Sequence, residues 1–189
     1  MGLTQMSEQP KEKTPFQGRV QVYTGDGKGK TTAALGLALR AAGYGFRTYI
    51  AQFLKGRPSG EHAAAARLAP LVTIERFGRR EFVNITDKGP EEEDTERARQ
   101  ALRAAEAAML SGRYRIVVLD EVNVAVDLGI LPEKELLEFL DRRPESVELV
   151  LTGRGAPASV VERADLVTEM KNVRHYHDRG VKAREGIEI

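Results

Sequence analysis

A run of alternating glycines, Thr24-Gly25-Asp26-Gly27-Lys28-Gly29-Lys30-Thr31-Thr32, lies between a short β-prone stretch (Val20, Val22, Tyr23) and an Ala- and Leu-rich helical stretch closed by Gly43. A strand feeding a helix through such a turn leaves few choices of fold. Glycines let successive backbone N–H groups turn inward around an anion, and the helix behind them adds the positive end of its dipole. Lys30 can reach terminal phosphate oxygens, and Thr31 offers a hydroxyl to a magnesium ion. The usual phosphate-loop pattern begins with Gly five residues before the Gly-Lys pair. Thr24 holds that place here, with Gly25 and Gly27 supplying flexibility next door. A Gly-Lys-Ser/Thr triplet alone arises by chance in roughly one chain in ten of this length, so its place between strand and helix decides the reading. Two rivals stay open: a glycine-rich surface turn, and a dinucleotide fingerprint, against which the Lys-Thr-Thr ending favours a triphosphate.

The alternation continues along the chain. Strands are expected at residues 47–54, 71–77, 115–119, 147–151 and 166–170, and helices at 61–68, from Pro90 onward, at 132–140 and at 157–163. This pattern predicts an α/β fold: a mainly parallel sheet with helices on both faces, right-handed crossovers, and a ligand at the carboxyl ends of the strands. The helix after Pro90 begins Glu91-Glu92-Glu93-Asp94, read as a solvated, dipole-favoured N-terminus, and buries Ala98, Ala101, Leu102, Ala105 and Met109. The apolar strand RIVVL ends in Asp120-Glu121, where a phosphate loop's magnesium ion needs a carboxylate. Neighbouring side chains diverge, so one of the two is placed to bind the ion or its water and the other to buttress it. Residues 78–89 lack periodicity and carry Arg79, Arg80, Phe82 and Asn84, the longest loop-like stretch inside the domain. No internal repeat is visible.

Composition then removes whole classes of chemistry. Lys and Arg number 29 against 28 Asp and Glu, a net charge of +1, which gives no sign of a nucleic-acid surface. The absence of cysteine rules out thiolate nucleophiles, iron–sulfur clusters and cysteine–zinc sites. With only His62, His175 and His177 available, a His-rich metal site is not expected. Residues 1–17 are polar with two prolines, read as a loose arm preceding a domain at 18–189, and they lack the apolar stretch of a signal peptide. Met6 stands where a myristoylation motif wants Ser or Thr. No apolar run approaches the ~20 residues that span a bilayer, so a cytoplasmic protein without membrane partners is expected.

A phosphate loop specifies a nucleotide and leaves the reaction open. A P-loop ATPase, a small-molecule kinase and a non-catalytic nucleotide-binding module all fit the motif alone. Three further residues carry open readings. Arg154 is placed to meet phosphate or a partner subunit, or to be a solvated loop arginine. His175 reads as a structural hydrogen-bonding residue rather than a ligand. Glu61 reads as a helix cap, with nucleotide ribose as the alternative.

The blocks TGDGKGKTTAALGLALRAAGYG, IAQFLKG, VVLDE, LTGRG and RHYHDRGVKAREGIEI, in that order across residues 18–189, resemble the P-loop family of ATP:corrinoid adenosyltransferases. The resemblance implies a RecA-like P-loop NTPase fold, a homodimer, and a role in adenosylcobalamin biosynthesis or salvage. In that family the cobalt(I) of a corrinoid (cobalamin or cob(I)yrinic acid a,c-diamide) attacks the 5′ carbon of ATP and triphosphate leaves, with a reductase supplying cobalt(I). ATP would lie on Thr24 to Thr32, reversed so that its γ-phosphate takes the usual α-phosphate place. Lys30, Thr31 and Glu121 would carry catalysis, and Mg²⁺ would sit at Thr31, Glu121 and Asp120. Family members crowd the lower cobalt face with aromatics in the loop after the third strand, which implies Phe82, with Phe77, for the corrinoid. The arm is implied to fold over the corrinoid of the same or a neighbouring subunit. The family's tryptophan in some members is absent here, and the chain has no Trp.

Bulky packing that drives off an axial ligand helps only when cobalt(II) must be reduced. Phe82→Ala is therefore expected to slow adenosylation assayed from cobalt(II) more than from prereduced cobalt(I); equal losses in the two assays would contradict that role.

Overall fold

The computed structural model describes residues 16–79 and 89–188. Six strands form one sheet in the order β3-β2-β4-β5-β1-β6, every adjacent pair parallel. They are β1 Val20–Thr24, β2 Thr48–Gln52, β3 Val72–Arg76, β4 Ile116–Asp120, β5 Glu148–Thr152 and β6 Leu166–Glu169. The helices are α1 Lys30–Gly43, α2 Gly60–Arg67, α3 Glu92–Leu110, α4 Val122–Asp127, α5 Glu133–Asp141 and α6 Ala158–Glu162. The expected α/β architecture is the observed one, and it is consistent with a P-loop NTPase fold.

Successive side chains on a strand point to opposite faces, and the two halves of the core divide on that period. Ile50, Ile116, Val118 and Val150 pack with Ala34, Ala38 and Ala41 of α1 and Ala65 of α2. Tyr49, Ala51, Val117, Leu119, Leu149 and Leu151 face the other way, onto α3, α4 and α5. Small alanines along α1 and α3 let both helices approach the sheet closely. All five residues expected on the buried face of α3 are buried.

Three local expectations are corrected. Gly43 is the last residue of α1; Tyr44 is the cap and Gly45 takes the positive φ of 75°. The chain makes an additional short helix, α4, directly after Glu121. The acidic start of α3 is not simply solvated. Asp94 is 4% exposed, and Arg79 grips it with its Nε 2.8 Å from Oδ1 while its Nη1 donates to Glu91 Oε2 at 2.6 Å. An acid buried at the first turn needs a partner, and Arg79 supplies it from just beyond β3. Phe16, the first described residue, lies near the amino ends of β2 and β4, its ring 4.7 Å from the Arg115 guanidinium and 5.9 Å from Phe46.

Leu119 is fully buried in the central strand beside the site. Leu119→Ala is expected to cost about 2–5 kcal/mol of stability, read as a lower denaturation midpoint; a loss under ~0.5 kcal/mol, the size of a surface substitution, would contradict this packing.

Candidate functional site

The carboxyl ends of the strands converge on a cavity of about 600 Å³, a volume within the usual range for small-molecule sites. Its floor is the glycine run from Asp26 to Thr32; Lys55 and Glu61 form one wall, Glu121 and Arg154 another, and His175 and Ile187 a third.

Glycine is required in the run by close approach. The end of β6 passes directly beneath it: Gly27 N–H donates to the Met170 carbonyl at 2.6 Å. A Cβ would fall 2.5 Å from that oxygen at Gly25, which also has φ 90°, and 2.7 Å from it at Gly27. Lys30, 6% exposed, curls back into the loop and donates from Nζ to the carbonyls of Gly25 and Gly27 at 2.7 and 2.8 Å. Burial pulls its pKa down from the ordinary lysine value while the Glu121 charge opposes that pull. Thr24 and Gly25 lie below the cavity wall rather than in it; Thr24 Oγ1 accepts the Ala156 N–H at 3.3 Å.

The acidic pair divides as alternation requires. Asp120, 1% exposed, points into the sheet end: its Oδ1 accepts the hydroxyls of Thr31 and Thr152, each at 2.8 Å, and its Oδ2 accepts Gln52 Nε2 at 3.1 Å. Glu121 lines the cavity. Burial, then the neighbouring Asp120 charge, pushes its carboxyl above the ordinary range. A hard divalent cation would relieve the repulsion between these neighbouring carboxyl groups, and the donors on hand (the Thr31 hydroxyl and the two carboxylates) are the oxygens that Mg²⁺ prefers. Among the described residues no cluster of three or more His, Asp or Glu could hold a metal unaided. Waters and phosphate oxygens would complete its coordination.

Glu61 is not the N-cap of α2. Ser59 is, and His62 completes a capping box by accepting the Ser59 N–H on Nδ1 at 3.0 Å, while Glu61 forms an ion pair with Lys55 at the cavity wall. Burial raises the Glu61 carboxyl, but hydrogen bonds from Lys55 and Ser59 outweigh it and leave the pKa at about 2. His175 has the structural role expected of it, accepting the His177 N–H at 3.1 Å, and its ring also borders the cavity. Arg154 is exposed and borders the cavity from the turn after β5. Phe77 packs half-buried against the main core, and Phe82 lies outside the described residues, as does most of the arm.

The sequence reading missed Gln52, Lys55, Thr152 and the terminal segment. The signal for the first and third was present: three adjacent strands read TYIAQ, IVVLD and ELVLT, each with an apolar middle and a polar last residue. In an otherwise buried strand such a residue marks the ligand end. Residues 186–188 reach the loop through a fold-back in which Glu188 accepts the Arg184 N–H at 2.9 Å and also the Tyr176 hydroxyl, and Lys28 Nζ lies 3.5 Å from the Ile187 carbonyl.

Comparison with known proteins bears on this arrangement. A family model described as ATP:corrinoid adenosyltransferase BtuR/CobO/CobP matches residues 16–189. A corrinoid adenosyltransferase of Pseudomonas aeruginosa is 35% identical over 174 residues, 92% of this chain and 84% of its own. One from Escherichia coli is 36% identical over 177 residues, 91% of this chain and 86% of its own. An uncharacterized protein of a Nostoc species is 41% identical over 174 residues, 84% of this chain, and the match spans only 45% of that protein's length.

A carboxyl held at about 2 in the fold contributes stability that is complete above its ordinary value near 4.5 and is lost as pH falls toward 2. The wild type should therefore be more stable than Glu61→Gln at neutral pH, with the gap closing between pH 4.5 and 2 in denaturant titrations; a constant gap would refute the assignment.

Proposed function

The chain belongs to the ATP:corrinoid adenosyltransferases, enzymes that transfer the adenosyl group of ATP to a cobalt corrinoid, and from that premise we propose how its own residues accomplish the transfer. The triphosphate of ATP lies in the cavity on Asp26 to Thr32, and the observation that carries this reading is the buried Lys30 ammonium turned into a ring of loop carbonyls. Its contacts to Gly25 and Gly27 are ones a phosphate oxygen can replace, so the cation is preorganised at the place where leaving-group charge accumulates. Mg²⁺ would be held by Thr31 and Glu121, with Asp120 behind them, and when bound it supplies further neutralisation of the triphosphate.

Cobalt(I) brings its own electron pair. It forms the cobalt–carbon bond at C5′ as the C5′–oxygen bond breaks, and the pair from that bond leaves with the triphosphate. No side chain has to become a nucleophile, which suits a chain without cysteine. The protein's contribution is orientation of the sugar carbon and stabilisation of the departing polyanion. Lys28, exposed at the loop, and Arg154, on the opposite wall, are placed for the phosphates nearer the cavity mouth. By the same reading residues 18–189 are the catalytic domain, Phe82 and Phe77 serve the corrinoid, and the enzyme works as a cytoplasmic homodimer fed cobalt(I) by a reductase. No described helix is long and apolar enough to cross a membrane.

Anaerobic incubation with chemically reduced corrinoid and ATP should give a light-sensitive cobalt–carbon product and intact triphosphate; ADP and orthophosphate would point to an ATPase or kinase instead. Lys30→Ala should lower the rate by at least about 10²-fold, the scale of losing one preorganised charge contact. Near-normal turnover of that variant would remove the loop from the mechanism.

A further inference from the structure

Thr152 ends β5 with no exposed surface, and its hydroxyl works in both directions. It donates to Asp120 Oδ1 at 2.8 Å and accepts the Glu121 N–H at 2.9 Å. Glu121 takes φ 64° and ψ 19°, a left-handed conformation that costs a residue with a Cβ about 1–2 kcal/mol. That turn ends β4 and sends the Glu121 side chain into the cavity while Asp120 stays beneath it. The same Asp120 oxygen also receives the Thr31 hydroxyl at 2.8 Å. One buried hydroxyl therefore touches the carboxylate that orients Thr31 and the backbone that aims Glu121.

We propose that Thr152 is a positioning residue of the adenosyl transfer: its hydroxyl fixes Asp120 against Thr31 and locks the left-handed turn at Glu121, so that the two oxygen donors facing the nucleotide's metal ion are held in register. The inference rests on the nucleotide site proposed above. Valine in its place keeps the branched shape and the β5 backbone ladder but removes both hydrogen bonds, leaving the Glu121 N–H without its acceptor and Asp120 one donor short. Serine keeps both bonds. Groups that orient metal ligands from behind typically govern metal affinity by about 10–100-fold, which sets the size of effect expected.

The test is calorimetric titration of ATP into full-length protein with and without Mg²⁺, no corrinoid present, for the wild type, Thr152→Val and Thr152→Ser. The wild type and Thr152→Ser should gain affinity on adding Mg²⁺. Thr152→Val should lose about tenfold or more of that gain, while its affinity for metal-free ATP stays within about twofold. In turnover, its kcat should fall with KM for the corrinoid unchanged. An Mg²⁺-dependent gain equal to wild type would overturn the proposal, as would an equal loss of metal-free ATP binding, which marks a merely structural role. If Thr152→Val does not fold, Thr152→Ala is read by the same two criteria. A wild type that binds no ATP under either condition, or transfers no adenosyl group, would instead overturn the proposed function, and these outcomes are distinct.

Discussion

A single carboxylate organises the working end of this molecule. Asp120 accepts hydrogen bonds from the ends of β2 and β5 and from the first turn of α1. It is buried among apolar strands, where an unpaired charge would be prohibitive. The satisfied carboxylate can therefore exist only if the parallel pairing of β2, β4 and β5 and the docking of α1 are all in place. Fold and site are coupled through that requirement: the register that pairs Gln52 with Asp120 also sets Asp120 against the Thr31 hydroxyl at the cavity floor.

The other half of the site is set by close approach rather than charge. The glycine loop lies on the carbonyl at the end of β6, and no side chain fits between them. The loop is thus held by a strand distant in sequence, through the Gly27 N–H on the Met170 carbonyl, and the chain beyond that strand returns to line the cavity with residues 186–188. The reaction proposed for this cavity needs little else from the protein. Its nucleophile arrives with the substrate, so the enzyme's part is to hold a polyanion that is about to leave and to keep the sugar carbon in line. A cavity floored by backbone amides and one buried ammonium meets that need.

The sheet order was not readable from the chain, but the elements were, because apolar runs ending in Gly, Asp or Pro are local features. The phosphate loop was legible for the same reason: Gly25, Gly27, Lys30 and Thr31 act within one turn. Errors arose where a side chain's partner lay outside the pattern of its own element. Asp94 looked like one more helix-start acid until Arg79, on the far side of residues 80–88, was found against it. Glu61 looked like a cap, but Ser59 holds that place and Lys55 pairs with Glu61. Thr152 looked like an ordinary strand end.

The amino-acid sequence by itself determined the strand-and-helix alternation, the anion-binding turn, the chemistry that a cysteine-free chain must do without, and the family resemblance. These are properties of neighbouring residues. Which of Asp120 and Glu121 faces the cavity, which residues support them, and what covers the loop were decided only by tertiary structure. Those answers depend on hydrogen bonds and backbone approaches between segments as far apart as Thr31 and Asp120 or Gly27 and Met170, and local sequence carries no record of such distances.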